Sequence, residues 1–194
     1  RRLRQPDSVP TTLIRLLVPG TSQRFRCGGL SVELQTARLL SSLCSVEVVT
    51  YRERHQDHPF LQDLLREEPL RQDILWIVSW GFDVPALVQR LRGHRIAYHA
   101  HSSGYGFTLP PGVPVLAVSR NTLGYWGDRC PRNPLLLVPN AIEPCWLDRG
   151  CRGSAERRPI DVLVQARKSS RYALDQLCPL YTSDAADDLF RVDL

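Results

Sequence analysis

Short apolar runs, each closed by proline, glycine or charge, recur through the first 140 residues. "LIRLLVP" (Leu13–Pro19) predicts a first strand, ended by Pro19 and Gly20. Leu30, Leu34, Ala37, Leu40 and Cys44 then follow at spacings of four, three, three and four, which is one face of a helix. "VEVVTY" (Val46–Tyr51) is β-branched and predicts a second strand. A polar helix is expected from Pro59 to Glu68, with Pro59 in its first turn. "DILWIVSW" (Asp73–Trp80) is nearly continuous in apolar residues, the pattern of a strand buried on both faces. "DVPALVQRLRG" (Asp83–Gly93) has an N-cap aspartate, an early proline and a terminal glycine, and predicts a helix. "RIAYHAH" (Arg95–His101), "VPVLAVS" (Val113–Ser119) and "LLLVPN" (Leu135–Asn140) predict three more strands, with a short helix after Ser119. Strands alternating with helices predict an α/β fold: a Rossmann-like, doubly wound, mostly parallel sheet over 13–140.

The flanks read differently. Residues 1–12 are polar and basic, with Pro6 and Pro10, and are expected to form a disordered arm. Residues 141–159 carry glycine, proline and charge without periodicity and read as a linker. "IDVLVQARKSS" (Ile160–Ser170) opens another strand and a basic loop, as though a second α/β domain began at 160–179 and stopped. Residues 180–194 ("LYTSDAADDLFRVDL" runs from Leu180) resemble translated sequencing-adaptor read-through and are set aside from the fold as a processing artefact. The alternative is a short acidic tail. There is no methionine among the 194 residues, which suggests a fragment of a longer reading frame.

Composition narrows the class. With 43% hydrophobic residues the chain can bury one substantial core. No apolar run reaches the roughly 18 residues of a membrane span, and no signal-peptide core is present, so a soluble cytoplasmic protein is expected. Peripheral membrane contact stays open. The net charge of +5 is spread along the chain, with no dense basic helix and no interleaved aromatics, which argues against nucleic acid as a partner. Lys168 is the only lysine, so arginine supplies nearly all the positive charge; GC-rich coding and phosphate binding both explain such a bias. Six cysteines fall without CxxC or Cys/His metal spacing, and free thiols are expected. Cys27, beside a glycine pair, reads as a small space-filling residue or a reactive thiol. The four tryptophans read as packing residues, with Trp80 bordering the cleft as the exception to consider.

Ligands of doubly wound sheets bind beyond the carboxyl ends of the strands. The polar and glycine-rich features of this chain fall there. Gly28–Gly29 opens the first helix, where bare backbone N–H groups can meet an anion or hydroxyl; the competing explanation is a tight loop with positive φ. No dinucleotide fingerprint or Walker lysine accompanies the pair. His99 and His101, two apart at a strand end, share one side of the sheet and suit binding or proton handling; a structural role is equally open. Zinc is not expected, for want of a third ligand near the pair. The Ser119 hydroxyl either caps the following helix or faces a ligand. Arg120 either holds an acidic group or is solvated. Asn140 either forms a turn or contacts ligand. Arg167 and Lys168, at the end of the last strand, suit a diphosphate, with a solvated basic loop as the alternative.

"CGGLSVELQTARLL", "VLAVSRNT", "LLLVPNAIEP" and "IDVLVQARKSS", in this order and spacing, resemble the amino-terminal half of a GT-B glycosyltransferase of the retaining "glycosyl transferases group 1" type, across about residues 13–170. The resemblance implies a nucleotide-sugar donor, no separate cofactor, and a saccharide, lipid or protein acceptor. It implies that Gly28 and Gly29 approach the donor phosphates or sugar, and that His101, the catalytic candidate, sits by the transferred sugar. Ser119 and Asn140 match strand-end positions of the family, and Arg167 resembles its diphosphate arginine. The family lysine several residues further on is absent, and Lys168 lies adjacent instead. The family's acidic donor motif belongs to a second domain beyond this sequence, so the polypeptide alone is expected to be inactive. A non-catalytic glycosyltransferase-like module that binds glycans or a partner protein, and an unrelated Rossmann-like nucleotide-binding domain, are the competing readings.

Overall fold

The computed structural model describes residues 11–140. The chain divides into two compact units, Arg1–Ile142 and Glu143–Leu194, and the described residues all belong to the first. Most of the basic arm, the linker, the truncated second domain and the tail lie outside the described residues, as do Arg167 and Lys168.

Six strands form one sheet: β1 (Leu13–Val18), β2 (Ser45–Thr50), β3 (Ile74–Val78), β4 (Arg95–Ala100), β5 (Val115–Ala117) and β6 (Leu135–Leu137). Their order is β2-β1-β3-β4-β5-β6. Every pairing is parallel. The α-helices among the described residues are α1 (Gly28–Leu40), α2 (Leu61–Glu67), α3 (Val84–Arg90) and α4 (Arg120–Arg129). The expected α/β sheet is present, and parallel throughout these residues. All six strands expected over 13–140 form; five are shorter than their apolar runs, β2 keeps six residues but begins one residue earlier, and the strand expected from Ile160 lies outside the described residues.

The two faces of the sheet are covered unequally. On one face Leu17, Val49, Trp76, Val78, Tyr98 and Val115 pack against Leu61 of α2, Val84 and Leu87 of α3 and Trp126 of α4. On the other face Leu16 and Ile77 pack against Ala37 of α1. Successive strand residues point to opposite faces, so Leu16 and Leu17 serve different layers. The chain runs from β1 outward to β2, then crosses back to β3 on the far side of β1. That reversal opens the crevice in which doubly wound sheets bind ligands, between the loops that leave β1 and β3.

Three local expectations are corrected. The polar helix starts at Leu61 with Phe60 at its N-cap, so Pro59 precedes the helix. Asp83 occupies the N-cap position of α3 but its side chain makes no capping bond. Its carboxylate instead accepts from the Tyr51 hydroxyl at 2.6 Å and from Arg52 at 2.5 Å, tying the loop after β2 to the start of α3. Burial, and then the hydrogen bond to Asp83, push the Tyr51 phenol far above its ordinary value. The face of α1 is also not uniformly apolar: Leu30 and Ala37 are buried with Glu33 between them, whereas Leu34 and Leu40 are half-buried and Cys44 lies past the helix end.

At the amino end of the sheet, Arg15 is 4% exposed in the middle of β1. It donates to Glu68 at 2.7 and 2.9 Å and to Glu47 at 2.8 Å, and its guanidinium lies 5.0 Å from the Trp76 ring centre. Burial lowers the Arg15 pKa, and the bonds to the two carboxylates outweigh that and raise it. The bond from Arg15 holds the Glu68 carboxyl below its ordinary value. Glu68→Ala would leave this buried cation with one carboxylate and is expected to cost about 1–3 kcal/mol, read by urea denaturation. A depressed carboxyl contributes stability above its unfolded pKa and loses it as pH falls through the folded value. The wild-type protein should therefore lose stability more steeply than Glu68→Ala below about pH 4.5, the ordinary glutamate range.

Candidate functional site

α1 begins at the carboxyl edge of the sheet. Cys27 is its N-cap, and the thiol accepts from the Leu30 N–H at 3.4 Å. Cys27 is exposed, so it is not a space-filling residue. Cys44 and Cys130 are free, as expected. Gly28 and Gly29 are the first two helical residues. Neither has positive φ; the glycines that do are Gly81, Gly93, Gly104 and Gly112. A Cβ on Gly28 would meet nothing within 4 Å, and one on Gly29 only the Cys27 sulfur at 3.8 Å. Neither backbone strain nor internal crowding explains the pair, which removes the tight-loop explanation.

The second turn of α1 carries Glu33, 1% exposed. Its Oε1 lies 2.8 Å from His99 Nδ1 and 2.7 Å from His101 Nε2. Both rings project from the end of β4 to the α1 side, with centroids 4.2 Å apart. Burial pushes the Glu33 carboxyl up, and the bonds from His101 and His99 outweigh it and hold the group at about 2. The carboxylate is therefore ionised near neutral pH and can only accept. His99 must donate from Nδ1 and His101 from Nε2, which fixes the nitrogen that carries each bridging hydrogen. His99 Nε2 and Glu33 Oε2 are then left buried without a partner. His101 Nδ1 has no protein partner among the described residues, and its side chain is 16% exposed.

Unpartnered polar atoms gather at this edge. Thr21 Oγ1 and Ser22 Oγ follow β1, Glu53 Oε2 follows β2 and Ser79 Oγ follows β3; all four are buried without a hydrogen-bond partner. Together with Glu33 Oε2 and His99 Nε2 they make up most of the orphaned side-chain atoms among the described residues. Such atoms are costly unless something meets them, and native interiors keep few. The loop after β4 is held from below by α4: Trp126 Nε1 donates to the Ser102 carbonyl at 3.2 Å and the Tyr125 hydroxyl to the Tyr105 carbonyl at 2.5 Å.

The other candidates divide. Ser119 is the N-cap of α4, its hydroxyl accepting from the Thr122 N–H at 3.1 Å, so the capping explanation accounts for it. Arg120 is exposed in the first turn of α4, and Asn140 is exposed after β6. Neither is brought to Glu33 by any contact described. Trp76 and Trp126 are core residues, and Trp80 packs partly buried against the core. The expectation that no third metal-type ligand lies near the histidines is overturned. Glu33 is that group, distant in sequence and delivered by the helix. One signal was available: a lone carboxylate three residues after Leu30 and four before Ala37, on the apolar stripe.

No family model, curated protein or solved structure matches the chain. Among the described residues no helix is long and apolar enough to cross a membrane.

The tautomer assignment is directly measurable. In metal-free protein near neutral pH, nitrogen-15 spectra of the imidazoles should show His99 protonated at Nδ1 and His101 at Nε2. Glu33→Leu should release both assignments; retention of both in that variant would show that Glu33 does not set them.

Proposed function

We propose that the carboxyl edge of this sheet is the amino-terminal part of a glycosyltransferase site that meets a nucleotide-sugar and its acceptor. The observation that carries the reading is the bare start of α1: Gly28 and Gly29 lack side chains where neither φ nor packing demands it. The absent side chains make sense if another molecule's phosphate or hydroxyl approaches the first N–H groups of the helix, where the dipole favours negative charge. Glu33 lies five residues further along the same helix, about 7.5 Å of axial rise. It ties the histidines to that helix, so the glycine mouth and the imidazoles are parts of one rigid unit.

In this reading His101 is held from behind through Nε2 and offers Nδ1 to the transferred sugar. The orphaned hydroxyls of Thr21, Ser22 and Ser79 are polar enough to meet sugar or phosphate oxygens. The chemical task is sugar transfer with departure of a nucleoside diphosphate. Fixed donors at the leaving diphosphate and an anionic, oriented imidazole system near the oxocarbenium-like centre would supply electrostatic stabilisation. The GT-B architecture, the donor and acceptor classes, and the matches at Arg120, Asn140, Arg167 and Lys168 rest on the sequence resemblance.

The test is ligand titration followed by amide and imidazole resonances. UDP-glucose or GDP-mannose should shift Gly28–Leu30 and His101 saturably, whereas NAD⁺ should not. Gly28→Val should leave the fold intact, since its Cβ has open space, and weaken that binding at least tenfold, about 1.4 kcal/mol. Equal response to NAD⁺ would make the domain a general nucleotide binder. Response to oligosaccharide but to no nucleotide would favour the non-catalytic module.

A further inference from the structure

Glu33, His99 and His101 each offer one ligand atom, and these atoms lie within 4.8 Å of one another. We infer that this cluster, one carboxylate from α1 and two imidazoles from the end of β4, is a binding site for a first-row divalent transition metal such as Zn²⁺. Two nitrogens and one oxygen suit zinc, iron, nickel or copper and disfavour magnesium and calcium, which prefer oxygen alone. Three protein ligands with one side toward the rim is the arrangement of a metal site that keeps a coordination position open.

Three further observations point to a cation. Glu33 is 1% and His99 4% exposed, yet Glu33 Oε2 and His99 Nε2 have no partner. A buried carboxylate whose described partners are two imidazoles carries an uncompensated negative charge unless a proton or a metal ion joins it. Glu33 sits on α1 and His99 on β4, elements that hold geometry better than loops, and His101 is the first residue past β4. His99 Nδ1 and His101 Nε2 already converge on Glu33 Oε1 at 2.8 and 2.7 Å. An ion taking these nitrogens displaces the two bridging hydrogens, and each imidazole then carries its proton on the far nitrogen. For His99 that N–H belongs to the residue one step beyond the Val78–Tyr98 pair, where the neighbouring strand position is Ser79, itself an orphaned hydroxyl. For His101 it becomes an Nδ1–H donor toward the rim. A second partner for a ligating imidazole is the usual outer arrangement of metal sites. The site stands whether or not the rim accepts a sugar nucleotide.

The full chain, stripped with EDTA, is titrated with Zn²⁺ by calorimetry and with Co²⁺ by visible absorption. One equivalent should bind with a dissociation constant below about 1 μM. The Co²⁺ spectrum should lack thiolate charge-transfer bands, which separates this site from the cysteines. His101→Ala and Glu33→Gln should each weaken binding at least about 100-fold. The exposed His55–His58 pair beside Asp57 is the obvious surface competitor, and His55→Ala with His58→Ala should leave the stoichiometry unchanged. If a cluster variant fails to fold, zinc-induced shifts of the His99 and His101 ring nitrogens in wild-type protein decide the matter. Absence of those shifts, binding that survives both cluster variants, or binding that follows the cysteines or His55 overturns the inference. Sugar-nucleotide titration with and without Zn²⁺ is scored separately, so failure of the rim reading and failure of the metal site remain distinct outcomes.

Discussion

One buried carboxylate organises the functional edge of this domain. Glu33 faces the sheet from α1 where an apolar residue would pack with less cost, and only its Oε1 is met, by the imidazoles of His99 on β4 and of His101 just past it. Burying the charge without them would be prohibitive; desolvation raises its carboxyl, and the imidazole bonds outweigh that and hold it below the ordinary value. The interaction fixes the rotation of α1 about its axis. With Glu33 pointing at the sheet, Leu30 and Ala37 face the same way, and Gly28 emerges at the rim.

A second charged anchor sits at the opposite end of the sheet and works by a different balance. Arg15 is as deeply buried as His99, but its carboxylate partners are more than a third exposed and can reach water. Its guanidinium is fully engaged by a bidentate bond to Glu68, a bond to Glu47 and stacking over Trp76, although Trp76 Nε1 and the adjacent His94 Nδ1 lack a hydrogen-bond partner. The carboxyl edge leaves more unpartnered: three hydroxyls, two carboxylate oxygens and an imidazole nitrogen. The amino edge therefore reads as stability and the carboxyl edge as a surface prepared for another molecule.

Periodicity made the architecture legible. β-branched and aliphatic runs of four to eight residues, separated by helical spacing, specify an alternating α/β chain with little ambiguity, and every strand expected over 13–140 forms. The ends of the elements were less legible because capping depends on competition. Asp83 has the residue type and position of an N-cap, but Tyr51 and Arg52, more than thirty residues earlier, claim its carboxylate. Ser119 has no such competitor and caps as its type predicts. The pairing of His99 with His101 followed from strand alternation. Their partner did not, since a glutamate on a helix is ordinarily solvated, and only the crossing of α1 over the sheet near β4 makes Glu33 an interior residue.

The glycine pair gains its meaning from that same crossing. In sequence, Gly28–Gly29 admitted both a strained turn and a close approach by ligand. The observed φ angles and the open space around both positions leave no internal use for the missing side chains. Glycine at a helix start also sacrifices stability relative to alanine, because it loses more backbone freedom on ordering. A chain that accepts this cost at two consecutive positions, beside a charged residue it has buried at further cost, concentrates unfavourable choices at one edge. Sites of function are where local rules are broken together, and here the breaks share a single helix.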